Sequence, residues 1–543
     1  MSRRPLRARV ARAVRELMGG MTDPTWKGAE VSPMTMDWRV ALRNPNEELR
    51  PTLHRLRARG RDLRRNDPYA RQFLNLFGTN VVGHRGFKHQ AQIRGPAGEL
   101  LEDLNGRLEA AWRDFSSAPV TTDRRLTLVE AEYLRLETLA TDGEVFIRFF
   151  NGYPNRYGFA LQFIDADQID HEFNREARPG QNEIRMGVEV DAYGAPVGYW
   201  VLDQPYGYGF NYGGRRERYF VPAYDPRTGL GEMLHDFIPL RANQARGLTW
   251  FAPILLTAKM RMGMLEAELY ASRLSAAKPI ALQVRDGATD ITITGENDPE
   301  KPPPVFNANP GEIPALPPGY ELVGVNTDHP SAAFPNFMIT ILREYATALG
   351  VSYNALCNDL QTVNFSSMKT GLLAERGLWR KLQEREVRAF LQPVRDAWLR
   401  SALLRGAATG GAEGLVLDSL DWRRYREARF APLGWPWPEP LKDAQASQLW
   451  IQLGLASRAD LAAEEGKDWD EILEQLAREE ARAKELGISI MPSTASADAA
   501  KTTADEEAAA QAAEAAKTGE GPNGNGRALP AALAERLLPS AVH

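Results

Sequence analysis

The chain has 543 residues, 43% of them hydrophobic and 25% charged, enough for several cores and so for two or more domains rather than one. Its formal net charge of −5 and pI of about 6.0 exclude a surface that grips nucleic acid throughout, leaving only local or transient contact. A single cysteine, Cys357, excludes a disulfide framework within the chain and reads as an ordinary buried or loop thiol. The seven histidines fall in no metal-ligand spacing, so neither a metal nor a cofactor is expected.

The opening is basic, with Arg3, Arg4, Arg7, Arg9, Arg12 and Arg15, but no apolar run follows, so it reads as an arm and not a secretory leader. Residues 1–19 can form a short amphipathic helix that is either simply solvated or touches nucleic acid or a partner. No stretch reaches the roughly 18 apolar residues of a membrane span. Over 47–80, Leu49, Leu53, Leu56 and Leu63 recur at helical spacing, and Asn66-Asp67-Pro68 breaks the helix and caps the next. Among these leucines lie Arg55, Arg57, Arg61, Arg64 and Arg65. They form either a face for nucleic acid or a neighbouring subunit, or a solvated face whose arginines pair with acids elsewhere.

Two more helices are expected over 100–140, through Leu101, Leu104, Leu108 and Trp112 and then Leu126, Leu134 and Leu139. Residues 142–240 change period. Glu144–Phe150 and Ala160–Ile164 read as strands, and Met186–Val190 with Pro196–Val201 as a hairpin around Asp191–Gly194. The Gly/Tyr stretch 206–214 lacks the Lys-Ser/Thr of a phosphate loop and reads as a surface loop. Residues 250–277 form a clean helical stripe, a rod of about 40 Å. The segment 279–331 carries two short strand candidates, Ile280–Val284 and Ile291–Thr294, then a proline-rich, acidic stretch expected to be extended. Helix returns over 333–350, followed by a polar loop and a long helix over about 366–405 that Pro393 should kink. Further helices are expected at 441–453, 458–464 and 469–486. Residues 492–526 read as disordered, and Leu533, Leu537 and Leu538 as a short terminal helix or docking peptide.

Two long helices enclosing a proline-rich β excursion, then a loop and another long helix, is an uncommon order. Several strings along it resemble the lambda-family phage portal proteins. They are Arg65-Asn66-Asp67-Pro68-Tyr69-Ala70 with Asn80 to Gly83, then Asp142-Gly143-Glu144, then Arg241 to Trp250 with Pro253. Next come Asn364-Phe365-Ser366-Ser367, then Lys442 with Ala444 and Ala446, Gly454 to Ser457, Gly466-Lys467-Asp468 and Leu476 to Glu479. Together the strings span roughly residues 50–487, leaving out the arm and the alanine-rich tail.

The resemblance implies an α+β portal-type fold and a closed ring of about twelve identical subunits. It divides the chain into a basic arm at 1–44, a wing at 45–248 and 367–439, and stem helices at 249–277 and 333–350. The clip would be 278–332, the tunnel loop 351–366, the crown 440–488 and a disordered tail 489–543. In such a ring Asn358, Asp359, Gln361, Thr362 and Asn364 would line the DNA channel, with Lys369 beside them. Asp286, Asp290, Glu296, Asp298 and Glu300 would sit on the clip, where partners dock. The implied partners are double-stranded DNA, the terminase large subunit, head–tail connector or adaptor proteins, and the major capsid and scaffolding proteins. The implied place is the portal vertex of a virion, assembled in the host cytoplasm, with no membrane. A mildly acidic subunit suits a channel through which DNA slides, because each neutralised phosphate adds affinity.

An enzyme is not expected. No Walker A, GxSxG or zinc signature occurs, and the spacing of Asp165, Asp167 and Asp170 fits a strand-to-loop surface as well as a metal nuclease. The alternative kept is another phage minor capsid or connector protein without a DNA channel.

Overall fold

The computed structural model describes residues 43–203, 217–227, 229–276, 280–284, 320–324, 333–359, 365–406, 422–435, 439–465, 467 and 469–487. The basic arm, the Gly/Tyr stretch, the Ile291–Thr294 strand and the tail expected from the sequence lie outside them. The chain divides into a unit ending at Pro440 and a second beginning at Leu441.

The first unit opens with α1 (Pro45–Leu49), α2 (Leu53–Asn66) and α3 (Pro68–Val81). The break between α2 and α3 comes from Asp67. Its Oδ1 accepts from the amides of Tyr69 (2.8 Å) and Ala70 (2.9 Å), and Pro68 needs no amide partner in the first turn. After strand β1 (Lys88–Ala91) come α4 (Glu102–Ser117) and α5 (Leu128–Asp142). A reciprocal cap between Thr127 and Glu130 starts α5, so Leu126 falls before the helix rather than in it. Gly143, at φ +88°, ends it.

Residues 142–240 are mostly β, as their changed period predicts. Strands β2 (Glu144–Asn151), β3 (Phe159–Ile164) and β8 (Met233–Phe237) form an antiparallel sheet in the order β3-β2-β8. The second sheet runs β4 (Glu183–Arg185), β5 (Val188–Val190), β6 (Pro196–Leu202), β7 (Arg218–Pro222). The β5–β6 pair is the hairpin expected around Asp191, with Gly194 at φ +86°. The inward faces of the two sheets meet through Phe146, Ile164, Tyr199, Val201 and Val221.

Helix α6 (Leu255–Ala276) leaves this body, and α7 (Phe334–Leu349) returns to it. Between them β9 (Ile280–Val284) pairs antiparallel with β10 (Tyr320–Gly324). Strand β10 is not among the elements expected from the sequence; it follows the proline run at 299–318, which lies outside the described residues, and its partner strand β9 supplies what its own sequence does not advertise. After α8 (Tyr353–Cys357), helix α9 (Phe365–Glu386) runs into α10 (Gln392–Leu404) through a widened π-type turn at Val387–Leu391. The turn sits just upstream of Pro393, which has no amide to donate into the ladder. Strand β11 (Ala428–Ala431) closes the unit by pairing with β1.

One core packs α4 and α10 against β2 and β3 around Trp112, Phe115, Phe159 and Trp398. Another joins α3 to the bases of α6, α7 and α9 through Phe73, Phe77, Phe251, Tyr345 and Trp379. In the second unit, α11 (Pro440–Gln452) leads to α12 (Arg458–Glu464), which a Ser457–Asp460 reciprocal cap opens, and then α13 (Trp469–Leu486).

Candidate functional site

Helix α2 holds the arginines that the sequence left open between an outward face and internal pairing. Arg57 lies on the buried stripe Leu53–Arg57–Gly60–Leu63 and is 1% exposed. It donates to Glu144 (2.5 Å) and Asp167 (2.5 Å). Arg61, one turn on, is held by Asp142 (2.5 Å), Asp165 (2.7 Å) and Asp167 (2.8 Å), and Arg64 by Glu137. These three therefore pair with acids of the same chain. Arg55 and Arg65 point into solvent.

Glu144 is the centre of this network and is fully buried. Besides Arg57, it accepts from Arg246 Nε (2.9 Å) and Nη2 (2.7 Å) and from the Gly247 amide (2.9 Å), and His235 Nε2 lies 3.1 Å away. Burial alone would raise its pKa. Arg246, His235 and Arg57 outweigh burial and hold it well below the usual carboxylate range. Arg246 Nη1 donates to the Met186 carbonyl (2.6 Å), and Nη2 also reaches that of Ala166 (3.1 Å). Two separate strings, Asp142-Gly143-Glu144 and Arg246-Gly247, meet here. A Cβ on Gly143 would lie 2.1 Å from the Leu248 carbonyl carbon, and one on Gly247 2.1 Å from the Gly143 oxygen.

A second buried cluster joins α5, β8 and the end of α9. Arg135 donates to both Asp236 and Glu386, and Arg385 also holds Asp236. Glu132, 1% exposed, adds a third acid. Its Oε2 and Glu386 Oε1 have no hydrogen-bond partner among the described residues. Burial, reinforced by Glu386, pushes the Glu132 pKa well above its ordinary value despite the opposing pull of Arg135.

Among the described residues, the arm of α6 and α7 is buried near its base. Arg261 is the last buried residue among the described side chains of α6, donating to Asp67 (2.5 Å) with its guanidinium 4.9 Å over the Tyr69 ring. Beyond it Leu265, Leu269 and Tyr270 are 37%, 58% and 63% exposed, and Phe337 on α7 is 49% exposed. A groove of about 480 Å³ runs along α6 at this level, lined by Asn66, Pro68, Met262, Leu265, Leu269 and Tyr270.

Helix α8 follows α7 through a Ser352 cap and ends at Asn358, which takes the left-handed conformation (φ +55°). Asp359 accepts from the Tyr353 hydroxyl at 3.1 Å, and burial together with that bond pushes the Tyr353 pKa up to about 12. Burial pushes the Cys357 thiol up to about 11, which leaves it protonated and unreactive at neutral pH. Gln361, Thr362 and Asn364 lie outside the described residues, as do Asp286, Asp290, Glu296, Asp298 and Glu300. Lys369 is half-buried and bound to Glu439 at 2.8 Å, a pairing across 70 residues that its local sequence does not signal. No group of acids, histidines or cysteines among the described residues is arranged to hold a metal, and no described helix is long and apolar enough to cross a membrane.

Residues 32–383 match the family model described as phage portal protein, lambda family. The chain is 30% identical over 440 residues to a probable portal protein of Halomonas phage phiHAP-1, covering 80% of this chain and 81% of that one. It is 23% identical over 486 residues to portal protein B of Escherichia phage lambda, covering 83% and 88%. Among solved structures, a chain from the neck of a native gene transfer agent particle, computed with C12 symmetry, aligns with a TM-score of 0.36 at 13% identity. That alignment covers 79% of this chain and 94% of the other.

Proposed function

From the premise that this chain belongs to the lambda family of phage portal proteins, we propose that it is the ring subunit of a portal vertex, around a channel through which double-stranded DNA enters and leaves the capsid. The observation that supports a ring is the arm. Two helices with large apolar side chains exposed beyond Arg261 are not finished surfaces, and identical neighbours set around an axis would cover them.

In this reading residues 45–248 and 367–439 form the wing, 249–277 and 333–350 the stem, 278–332 the clip and 440–488 the crown. The loop at 351–366 faces the channel with Asn358, Asp359, Gln361, Thr362 and Asn364, polar groups without positive charge that contact DNA without holding its phosphates. Lys369, neutralised by Glu439, adds no free cation there. Asp286, Asp290, Glu296, Asp298 and Glu300 give the clip an acidic surface for the terminase large subunit during packaging and for connector proteins afterwards. Arg55 and Arg65 remain available for a neighbouring subunit or a nucleic acid. Capsid and scaffolding proteins would contact the wing.

Electron microscopy of the purified protein with native mass measurement tests this. The expected result is a closed ring with an axial hole wide enough for duplex DNA. A monomer or dimer at every salt concentration would overturn the proposal.

A further inference from the structure

The arm carries two different stripes that are exposed apart from the half-buried Met262 and Ile341. On α6, Lys259, Met262, Leu269 and Arg273 share one side, with Leu265 and Tyr270 flanking it, at spacings of three, seven and four. On α7, Phe337, Ile341, Glu344 and Ala348 share one side at spacings of four, three and four. Lys259 and Glu344 are both exposed and have no ionic partner among the described residues.

The bases of the two helices lie in one core, which Ile254 and Leu255 share with Ala346 and Leu349, so heights along the arm are counted outward from Leu255 and Leu349. At about 1.5 Å per residue, Lys259 stands about 6 Å out from Leu255 and Leu269 about 21 Å. Measured the same way from Leu349, Glu344 stands about 8 Å out and Phe337 about 18 Å. Charge is therefore level with opposite charge, and apolar bulk with apolar bulk. Ile341, at about 12 Å, falls level with Met262 and Leu265.

Resting on the ring reading, we propose that the α6 stripe is the socket for the α7 stripe of the next copy. Lys259 meets Glu344 of the partner subunit, and Leu269 meets Phe337 of the partner subunit. Copies related by rotation about an axis along the arm stand at equal height, so only residues of matched level can meet. The contact is head to tail, joining two unlike surfaces, which is the kind that closes a ring rather than a pair. The groove beside Leu265 and Leu269 gives the incoming aromatic ring a place to enter.

Two full-length single-cysteine proteins test this, Leu269→Cys and Phe337→Cys, each with Cys357→Ser. They are purified apart, mixed before assembly and oxidised. A covalent dimer is expected on a non-reducing gel from the mixture and from neither protein alone. Separately, Lys259→Glu and Glu344→Lys should each raise the concentration for half-maximal ring formation about fivefold, and the double reversal should restore it. Crosslinking of either protein with itself would reveal a two-fold contact and overturn the proposal. Rings that form without the mixed crosslink overturn the pairing while leaving the portal reading standing. A parent chain that never forms rings overturns both.

Discussion

Replacing Glu132 by Gln should stabilise this protein, and by an amount that grows with pH. The carboxyl is 1% exposed, one of its oxygens has no partner, and it shares its site with Glu386 and Asp236 against two arginines, Arg135 and Arg385. Burial and Glu386 both favour the neutral acid. An unfolded Glu titrates near about 4.3. The folded group titrates well above that, so the fold binds a proton that the unfolded chain releases. The stability contributed by this group is thus fully present below the unfolded pKa and is lost as pH rises toward the folded one. Across that window the loss is about 1.4 kcal/mol per pH unit for one proton. Gln has nearly the same shape and never ionises, so the advantage of the variant should widen at that slope above about pH 4.3 and level off past the folded pKa. Urea unfolding of the unassembled subunit at half-unit pH steps, parent beside Glu132→Gln, reads the difference directly. A difference that stays flat with pH would show that Glu132 is ionised in the fold and refute the reasoning.

The Glu144 centre makes the opposite prediction. Glu144→Gln leaves Arg57 and Arg246 buried without their carboxylate and should cost about 3–5 kcal/mol at neutral pH, read as a fall in the thermal midpoint of the subunit. Gly143→Ala combines an unfavourable φ with a 2.1 Å approach to the Leu248 backbone, so it should sharply reduce the yield of soluble protein. Gly194→Ala is the control. It has a similar φ of +86° but open space around it, and should lose only about 1 kcal/mol.

Where the physics is local, the sequence was a good guide. The Asn66-Asp67-Pro68 corner, the hairpin around Asp191 and the long helices on either side of the proline-rich stretch all depend on neighbours a few residues away. Strands β1, β10 and β11 were not legible, because each is only four or five residues long and is fixed by a partner far along the chain. The arginines of α2 show the same division. Seven among the residues from 50 to 65 look like one cationic surface, yet Arg57 falls on the Leu53–Leu63 stripe, and that spacing already marks it as inward. Its acids, Glu144 and Asp167, sit on other elements that no local window contains. Lys369 likewise reads as a free cation until Glu439 is brought beside it.

The salt bridge from Arg135 to Glu386 spans 251 residues and has a consequence for how the protein is made. A ribosome adding about 5–20 residues per second takes roughly 13–50 s to travel that distance. Over that interval Arg135 gains Asp236 but still lacks its second carboxylate, Glu386, and Trp112 and Phe115 wait longer still for Trp398 to cover them. A chain still being translated thus has α6 and α7 before the core that α10 completes. In the ring proposed above, a copy ready to join its neighbours would therefore exist only near the end of synthesis.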